Sequence, residues 1–249
     1  MSESVVTACV LIIGDEILSG RTQDVNLAHI AKELNEVGVQ VRQARVIPDD
    51  EAVIVATVNE CRAAFDYVFT TGGIGPTHDD ITADCVALAF GRELVIHPEI
   101  EAMIKQREAT PEVMASRMRM ARVPEGSELV RNEFGPPGFR VDNVFVMAGI
   151  PRVMHAMLAS ALNDLKGAKP VRSRSVSAFV SESQIAKPLG EIQDEFPSVS
   201  IGSYPFSKDD RYGTSLVVRG TDEAVLDDLV DRITKLVLSI GAELTEKPK

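Results

Sequence analysis

The apolar run Tyr67-Val68-Phe69 leads through Thr70-Thr71 into Gly72-Gly73-Ile74-Gly75-Pro76-Thr77-His78-Asp79-Asp80-Ile81-Thr82, and a helix-like stretch over 83–90 follows. A strand that breaks at glycines and re-emerges as a helix is half of a strand–helix–strand unit. Such units build parallel sheets flanked by helices. Glycines at the junction also let backbone N–H groups approach an anion closely. The adjacent carboxylates Asp79 and Asp80 exceed what a helix dipole needs, and they point to a divalent ion or to a water to be activated. This one segment predicts both an architecture and a phosphate-holding loop upon it.

Neighbouring segments repeat the pattern. The continuous apolar run over 5–13 reads as a strand buried on both faces. Residues 27–37 place Ile30, Ala31, Leu34 and Val37 on one helical face, with Asn26 as N-cap and Gly38 at the end. A strand over 39–47, a helix over 49–64 with an acidic first turn and a strand over 66–71 follow. Residues 98–121 read as helical with a break at Pro111. The Gly- and Pro-rich stretch 122–146 is irregular with short strands, 144–147 is a buried strand, and 151–165 is a helix opened by proline. Lys166-Gly167-Ala168-Lys169-Pro170 reads as a linker dividing the chain into 1–166 and 171–249. Beyond it come a strand over 172–180, a helix over 182–195 capped by Ser181, strands over 198–204 and 214–219, and a helix over 222–239. That order matches half to all of a ferredoxin-like module. The expected fold class is α/β, a mostly parallel sheet with helices on both faces, plus a small α+β ferredoxin-like C-terminal module.

The charge balance narrows the partners. Across 249 residues the formal net charge is −11, which opposes attraction to nucleic acid or to an anionic membrane surface. A phosphate ligand remains compatible, because a few backbone amides and one metal ion act locally. No apolar stretch is long enough for a membrane span, and the N-terminus lacks the basic region and cleavage site of a signal peptide. Cys9, Cys61 and Cys85 form no Cys-x-x-Cys pair and read as buried thiols in a reducing compartment. The expected location is cytoplasmic.

Three loops carry the candidate chemistry. In the first, Thr71, Gly72, Gly73, Gly75, Pro76 and Thr77 form the phosphate loop, with Asp80 or Asp79 as metal ligand or base for a water; His78 is either a surface residue or a participant. The second, Gly14-Asp15-Glu16-Ile17-Leu18-Ser19-Gly20, meets neither the dinucleotide-binding fingerprint nor the P-loop pattern. Asp15 and Glu16 are nevertheless expected at the same sheet edge as Asp79 and Asp80, where they make a divalent-metal site. The third is Pro48-Asp49-Asp50, in which a helix cap is a sufficient local explanation for Asp49. Residues 132–138 are either a plain turn or a lid that closes on a ligand, with Gly138 as a contact. Arg117, Arg119 and Arg122 are either a solvated helix face or phosphate contacts.

Together these segments, with Asn26, Ala121-Arg122-Val123-Pro124-Glu125-Gly126 and Ala148-Gly149-Ile150-Pro151, resemble the molybdopterin-binding domain of molybdenum cofactor biosynthesis. Within that family the likeness is to the N-terminal domain of competence/damage-inducible proteins and, through Ser181-Glu182-Ser183 and Ile201-Gly202-Ser203-Tyr204-Pro205, to the first half of eukaryotic FAD synthases. Ala148 stands where the family usually has proline. The resemblance implies metal-dependent hydrolysis of a nucleotide pyrophosphate such as ADP-ribose or FAD, with Mg, Mn or Co. The alternative it implies is molybdopterin binding or adenylylation in molybdenum cofactor biosynthesis; a further alternative, from a different class, is a non-catalytic ligand-binding or interaction protein that retains the fold. The resemblance implies Asp80 and Asp49 as catalytic residues, Asp80, Asp79, Asp15 and Glu16 around the metal, and Gly14, Asn26 and Gly138 beside the phosphate loop. It also implies a homo-oligomer, dimer or trimer.

Overall fold

A computed structural model describes residues 5–245. The chain divides into two compact units, Met1–Ala168 and Lys169–Lys249.

The first unit begins with β1 (Val6–Ile13), a short α1 (Asp15–Leu18), α2 (Asn26–Glu36), β2 (Val39–Ile47), α3 (Glu51–Ala64), β3 (Tyr67–Thr71) and α4 (Thr82–Phe90). Next come β4 (Leu94–Ile96), α5 (Pro98–Lys105), α6 (Pro111–Met118), β5 (Arg122–Pro124), β6 (Glu128–Val130), β7 (Gly138–Val141), β8 (Val144–Met147) and α7 (Pro151–Ala161). Six strands form one sheet in the order β2-β1-β3-β8-β7-β6. β2, β1, β3 and β8 run parallel, whereas β7 and β6 add an antiparallel edge. β4 and β5 make a separate antiparallel ribbon.

The two-residue period of β1 explains why both faces are covered. Cys9, Leu11 and Ile13 point into a core shared with Ile54 and Val58 of α3 and Val86 of α4. Ala8, Val10 and Ile12 point the other way, onto Ile30 and Leu34 of α2 and Met154 and Leu158 of α7. Helices therefore sandwich a mostly parallel sheet, as the alternating apolar runs predict. All three cysteines are free and buried, and burial pushes the Cys9 and Cys85 thiols up to about 12, which suits packing rather than nucleophilic chemistry.

Two helix starts differ from expectation. Asn26 does not cap α2: it is the first helical residue and is buried, Val25 holds the N-cap position, and Asp24 Oδ1 accepts from the Leu27 N–H at 3.0 Å. At α3 the cap is Asp50, which accepts from the Val53 N–H at 2.9 Å. Asp49 is thereby freed from the local role that sequence alone would allow it.

The second unit comprises β9 (Arg172–Phe179), α8 (Glu182–Glu195), β10 (Ser200–Lys208), β11 (Arg211–Gly220), α9 (Glu223–Ser239) and β12 (Glu243–Leu244). Its strands lie in the order β10-β11-β9-β12, every neighbouring pair antiparallel. This is a complete βαββαβ ferredoxin-like module. Ser181 and Gln184 close a capping box on α8, in line with the expected N-cap. β10 and β11 extend beyond the predicted strands to a tight turn at Asp209 and Asp210, both with positive φ (52° and 57°).

Candidate functional site

The carboxyl ends of β1, β2, β3 and β8 open onto one cavity of about 700 Å³. Parallel strands release their loops at that edge, which is where ligands bind in such sheets. Gly14 follows β1, Asp49 follows β2, Gly72 to Asp80 follow β3, and Ala148 to Pro151 follow β8; residues from each loop line the cavity.

The β3–α4 loop is shaped by its glycines. Gly72 and Gly73 have φ of +102° and +67°, and a Cβ on Gly72 would lie 2.1 Å from the Ile13 carbonyl oxygen. The Gly72 N–H donates to the Met147 carbonyl at 3.1 Å, and the Gly73 carbonyl accepts from the Thr82 N–H at 3.0 Å. Gly72 thus serves the loop by conformation, and its N–H is not the phosphate donor expected of it. Among the described residues, no protein group accepts from the N–H of Gly73, Ile74 or Gly75. These consecutive donors sit beside the cavity at the entry to α4, an arrangement suited to an anion.

Carboxylates line the same cavity. Asp80 Oδ2 accepts from the Thr77 N–H at 2.8 Å and the Thr77 hydroxyl at 2.6 Å, closing the turn before α4. A Cβ on Gly75 would lie 2.6 Å from that same oxygen, which accounts for the glycine. Asp49 Oδ2 accepts from the Asp15 N–H at 3.0 Å, joining the first and second loops. Burial raises the Asp49 pKa; the Asp15 N–H opposes that shift, and the charges of Asp15, Glu16 and Asp79 reinforce it. Glu16, Asp79 and Asp84 also face the cavity.

Several expected residues lie outside the cavity lining. Asp15 contributes its backbone N–H to Asp49 instead of its carboxylate. Thr71 is buried in β3, and Thr77 is exposed and spent on Asp80. Gly138 is buried in β7, where a Cβ would lie 2.1 Å from the Val146 carbonyl oxygen, so strand packing explains it. Asn26 supports the wall indirectly, its Nδ2 donating to the Gly149 carbonyl at 2.8 Å. Gly14, Glu16, Asp49, Gly72, Gly73, Gly75, Pro76, Asp79 and Asp80 are the expected residues that do line it.

The lining also holds groups that the sequence left among alternatives or did not single out. Arg119 lines the cavity, its Nη2 donating to the Asp80 carbonyl oxygen at 3.3 Å while its Nε is buried without a partner. Arg122, also lining, forms an ion pair with Asp84. Phe134 closes one side, with the Arg152 guanidinium 4.1 Å from its ring centroid. Phe134 belongs to the 132–138 segment expected to be a turn or a lid, whereas Asp84 had no signal in the sequence.

Among the described residues, no three His, Cys, Asp or Glu side chains form a group that could hold a metal ion. The described residues also contain no helix long and apolar enough to cross a membrane.

Residues 9–167 match the family described as "Probable molybdopterin binding domain". The chain belongs to that family. Residues 170–241 match "FAD synthase, middle domain". A CinA-like protein of Gemmatimonas aurantiaca is 36% identical over 74% of this chain and 46% of its own length. A "Probable FAD synthase" of Caenorhabditis elegans is 29% identical over 93% of this chain and 50% of its own length. The chain therefore spans about half the length of these two relatives. The crystal structure of CinA from Thermoplasma acidophilum aligns with a TM-score of 0.58 at 34% identity, covering 64% of this chain and 98% of that one. In this molybdopterin-binding-type domain, the matched span includes every loop that lines the cavity.

Proposed function

We propose that the cavity binds a phosphorylated nucleotide and that, with a divalent ion, the protein hydrolyses its pyrophosphate bond. One juxtaposition carries this reading. The unpartnered N–H groups of Gly73, Ile74 and Gly75 meet the same cavity as Asp49 and Asp80, two carboxylates that cap no helix. Such donors hold phosphate oxygens and gain strength as charge shifts in phosphoryl transfer.

Asp49 and Asp80 each commit Oδ2 to neighbouring donors, which leaves Oδ1 for a cation. Two carboxylates lining one cavity are compatible with an ion of the Mg, Mn or Co type without a three-residue cage, because Mg²⁺ takes one or two carboxylates and completes its shell with water and phosphate oxygens. When bound, such an ion supplies a Lewis acid and an activated water. Asp49 and Asp80 would hold it and would orient the water, and Arg119, whose Nη2 donates to the Asp80 carbonyl oxygen, would offer its guanidinium to the phosphate from beside them. Water oxygen joins one phosphorus, the bond from that phosphorus to the bridging oxygen breaks, and two phosphate monoesters leave.

Incubation with ADP-ribose or FAD and Mg²⁺, Mn²⁺ or Co²⁺ releases AMP under this reading. No AMP with any of the three ions overturns it. The family match supports binding of a molybdopterin-type ligand, and the second reading adds adenylylation of its phosphate by ATP. Tight molybdopterin binding with an ATP-dependent adenylylated product, and no AMP from the two dinucleotides, would favour it.

A further inference from the structure

A second cavity of about 290 Å³ adjoins the first and shares Met120, Phe134, Gly135 and Pro136 with it. Ligand pockets run from roughly 300 to 1,000 Å³, so the larger cavity can take a whole nucleotide and the smaller one only part of a ligand. Arg107 and Arg117 line the smaller cavity. Arg117 Nη1 donates to the Arg107 carbonyl oxygen at 3.3 Å, which ties the two arginine positions together.

Among the described residues, several arginines of this unit meet a carboxylate and others, Arg107 and Arg117 among them, do not. Arg45, Arg92, Arg122, Arg131 and Arg140 are each ion-paired with a carboxylate. Among the described residues, neither Arg107 nor Arg117 is so paired, although the chain carries a net charge of −11. Glu133 also lines this cavity, but no ion pair joins it to either arginine. Guanidinium groups match the oxygens of a phosphate in a fixed fork.

We propose that the second cavity is an anion subsite for a further phosphate, carried by the same ligand whose pyrophosphate lies at the Gly73–Gly75 donors. This rests on the nucleotide reading above and deepens it: the favoured substrate class is a nucleoside diphosphate compound with an additional phosphate monoester away from the pyrophosphate. Shared walls favour one ligand spanning both cavities over two independent ones.

Calorimetric titration of the full chain with ADP-ribose and with ADP-ribose 2′-phosphate, with Ca²⁺ in place of the catalytic ion, tests it. The wild type binds the 2′-phosphorylated compound about tenfold more tightly, the scale of one charge-assisted contact pair. Arg107→Ala and Arg117→Ala each remove most of that preference and leave the affinity for ADP-ribose unchanged. Arg107 is exposed and its side chain donates no hydrogen bond among the described residues, so Arg107→Ala tests the subsite even if Arg117→Ala perturbs folding. Equal wild-type affinities, or a preference that survives Arg107→Ala, overturn the subsite alone. If inorganic phosphate tightens ADP-ribose binding, the subsite holds a free anion, and the assignment to one ligand fails. Failure to bind either compound overturns the nucleotide reading and this inference with it.

Discussion

The Gly72–Asp80 loop and the turn at residues 132–137 face the same cavity, yet they hold their shapes by different means. The first is fixed at its start through backbone, by glycine conformations, a ladder bond from Gly72 to Met147 and a return bond from Thr82 to Gly73, and only its far end by a side chain, Asp80 on Thr77. The second hangs on one side chain. Asn132 Oδ1 accepts from the N–H groups of Phe134 and Gly135 at 2.8 and 2.9 Å, and its Nδ2 donates to the Pro136 carbonyl at 3.0 Å. Backbone determination leaves no room for a side chain at Gly72. Side-chain determination leaves a wall that one change can loosen.

The sharpest way to break that contrast is Gly72→Ala. Its Cβ meets a backbone oxygen at 2.1 Å at a φ of +102°, so the loop must move or the sheet edge must open. A loss of about 3 kcal/mol or more is expected, read as a large drop in the denaturant midpoint, with ligand binding abolished. A variant with wild-type stability would show that the loop is far more pliable than its geometry indicates.

Asp80→Asn separates chemistry from shape. The amide oxygen can still accept both Thr77 bonds, so stability changes by less than about 1 kcal/mol. Pyrophosphate hydrolysis falls by about 100-fold or more, the scale of losing one electrostatic participant. An unaltered rate at saturating metal would remove Asp80 from the machinery.

Asn132→Ala addresses the other wall. It strips a half-buried Asx-type turn of all three bonds and costs roughly 1–3 kcal/mol locally. Ligand affinity should weaken and amide exchange at Phe134 and Gly135 should accelerate, while exchange at Gly73 stays as in the wild type. Equal acceleration at both loops would show that they open as one unit.

The contrast also explains what was legible in the sequence. The alternation of apolar runs discloses the parallel sheet because each strand's period is local, and the glycine loop is legible because its parts are contiguous. Which of two adjacent carboxylates caps a helix is not local information: Asp49 and Asp50 are chemically alike, and only the path into α3 assigns the cap to Asp50. At α2 the helix likewise starts at the expected cap, Asn26, and Asp24 takes the Leu27 N–H instead. Arg119 escaped a firm reading for another reason. It opens a 3₁₀ turn, Arg119–Ala121, where the spacing of an α-helix no longer tells which face is inward. β12 is two residues long, too short for any alternation to announce it.

The smallest expected effect concerns Asp49, and its sign is opposite to that of the loop variants. Because burial and its acidic neighbours raise the Asp49 pKa in the folded chain, the folded state binds this proton more tightly than the unfolded state does. Below the unfolded value both states are protonated and no stability is lost. As pH rises through the folded value, the native state must ionise Asp49 beside Asp15, Glu16 and Asp79, and stability falls. Asp49→Asn removes that cost while its amide oxygen still accepts from the Asp15 N–H. At about pH 7 the variant should melt higher by no more than about 4 °C, a small effect because the carboxylate is only half-buried. The gain should vanish at about pH 3, below the ordinary carboxylate range. Melting curves of both proteins across that range decide the matter: a variant that melts lower at neutral pH would mean Asp49 is stabilised by its neighbours rather than strained by them, and the cluster would then be a structural ion network instead of a site waiting for a cation.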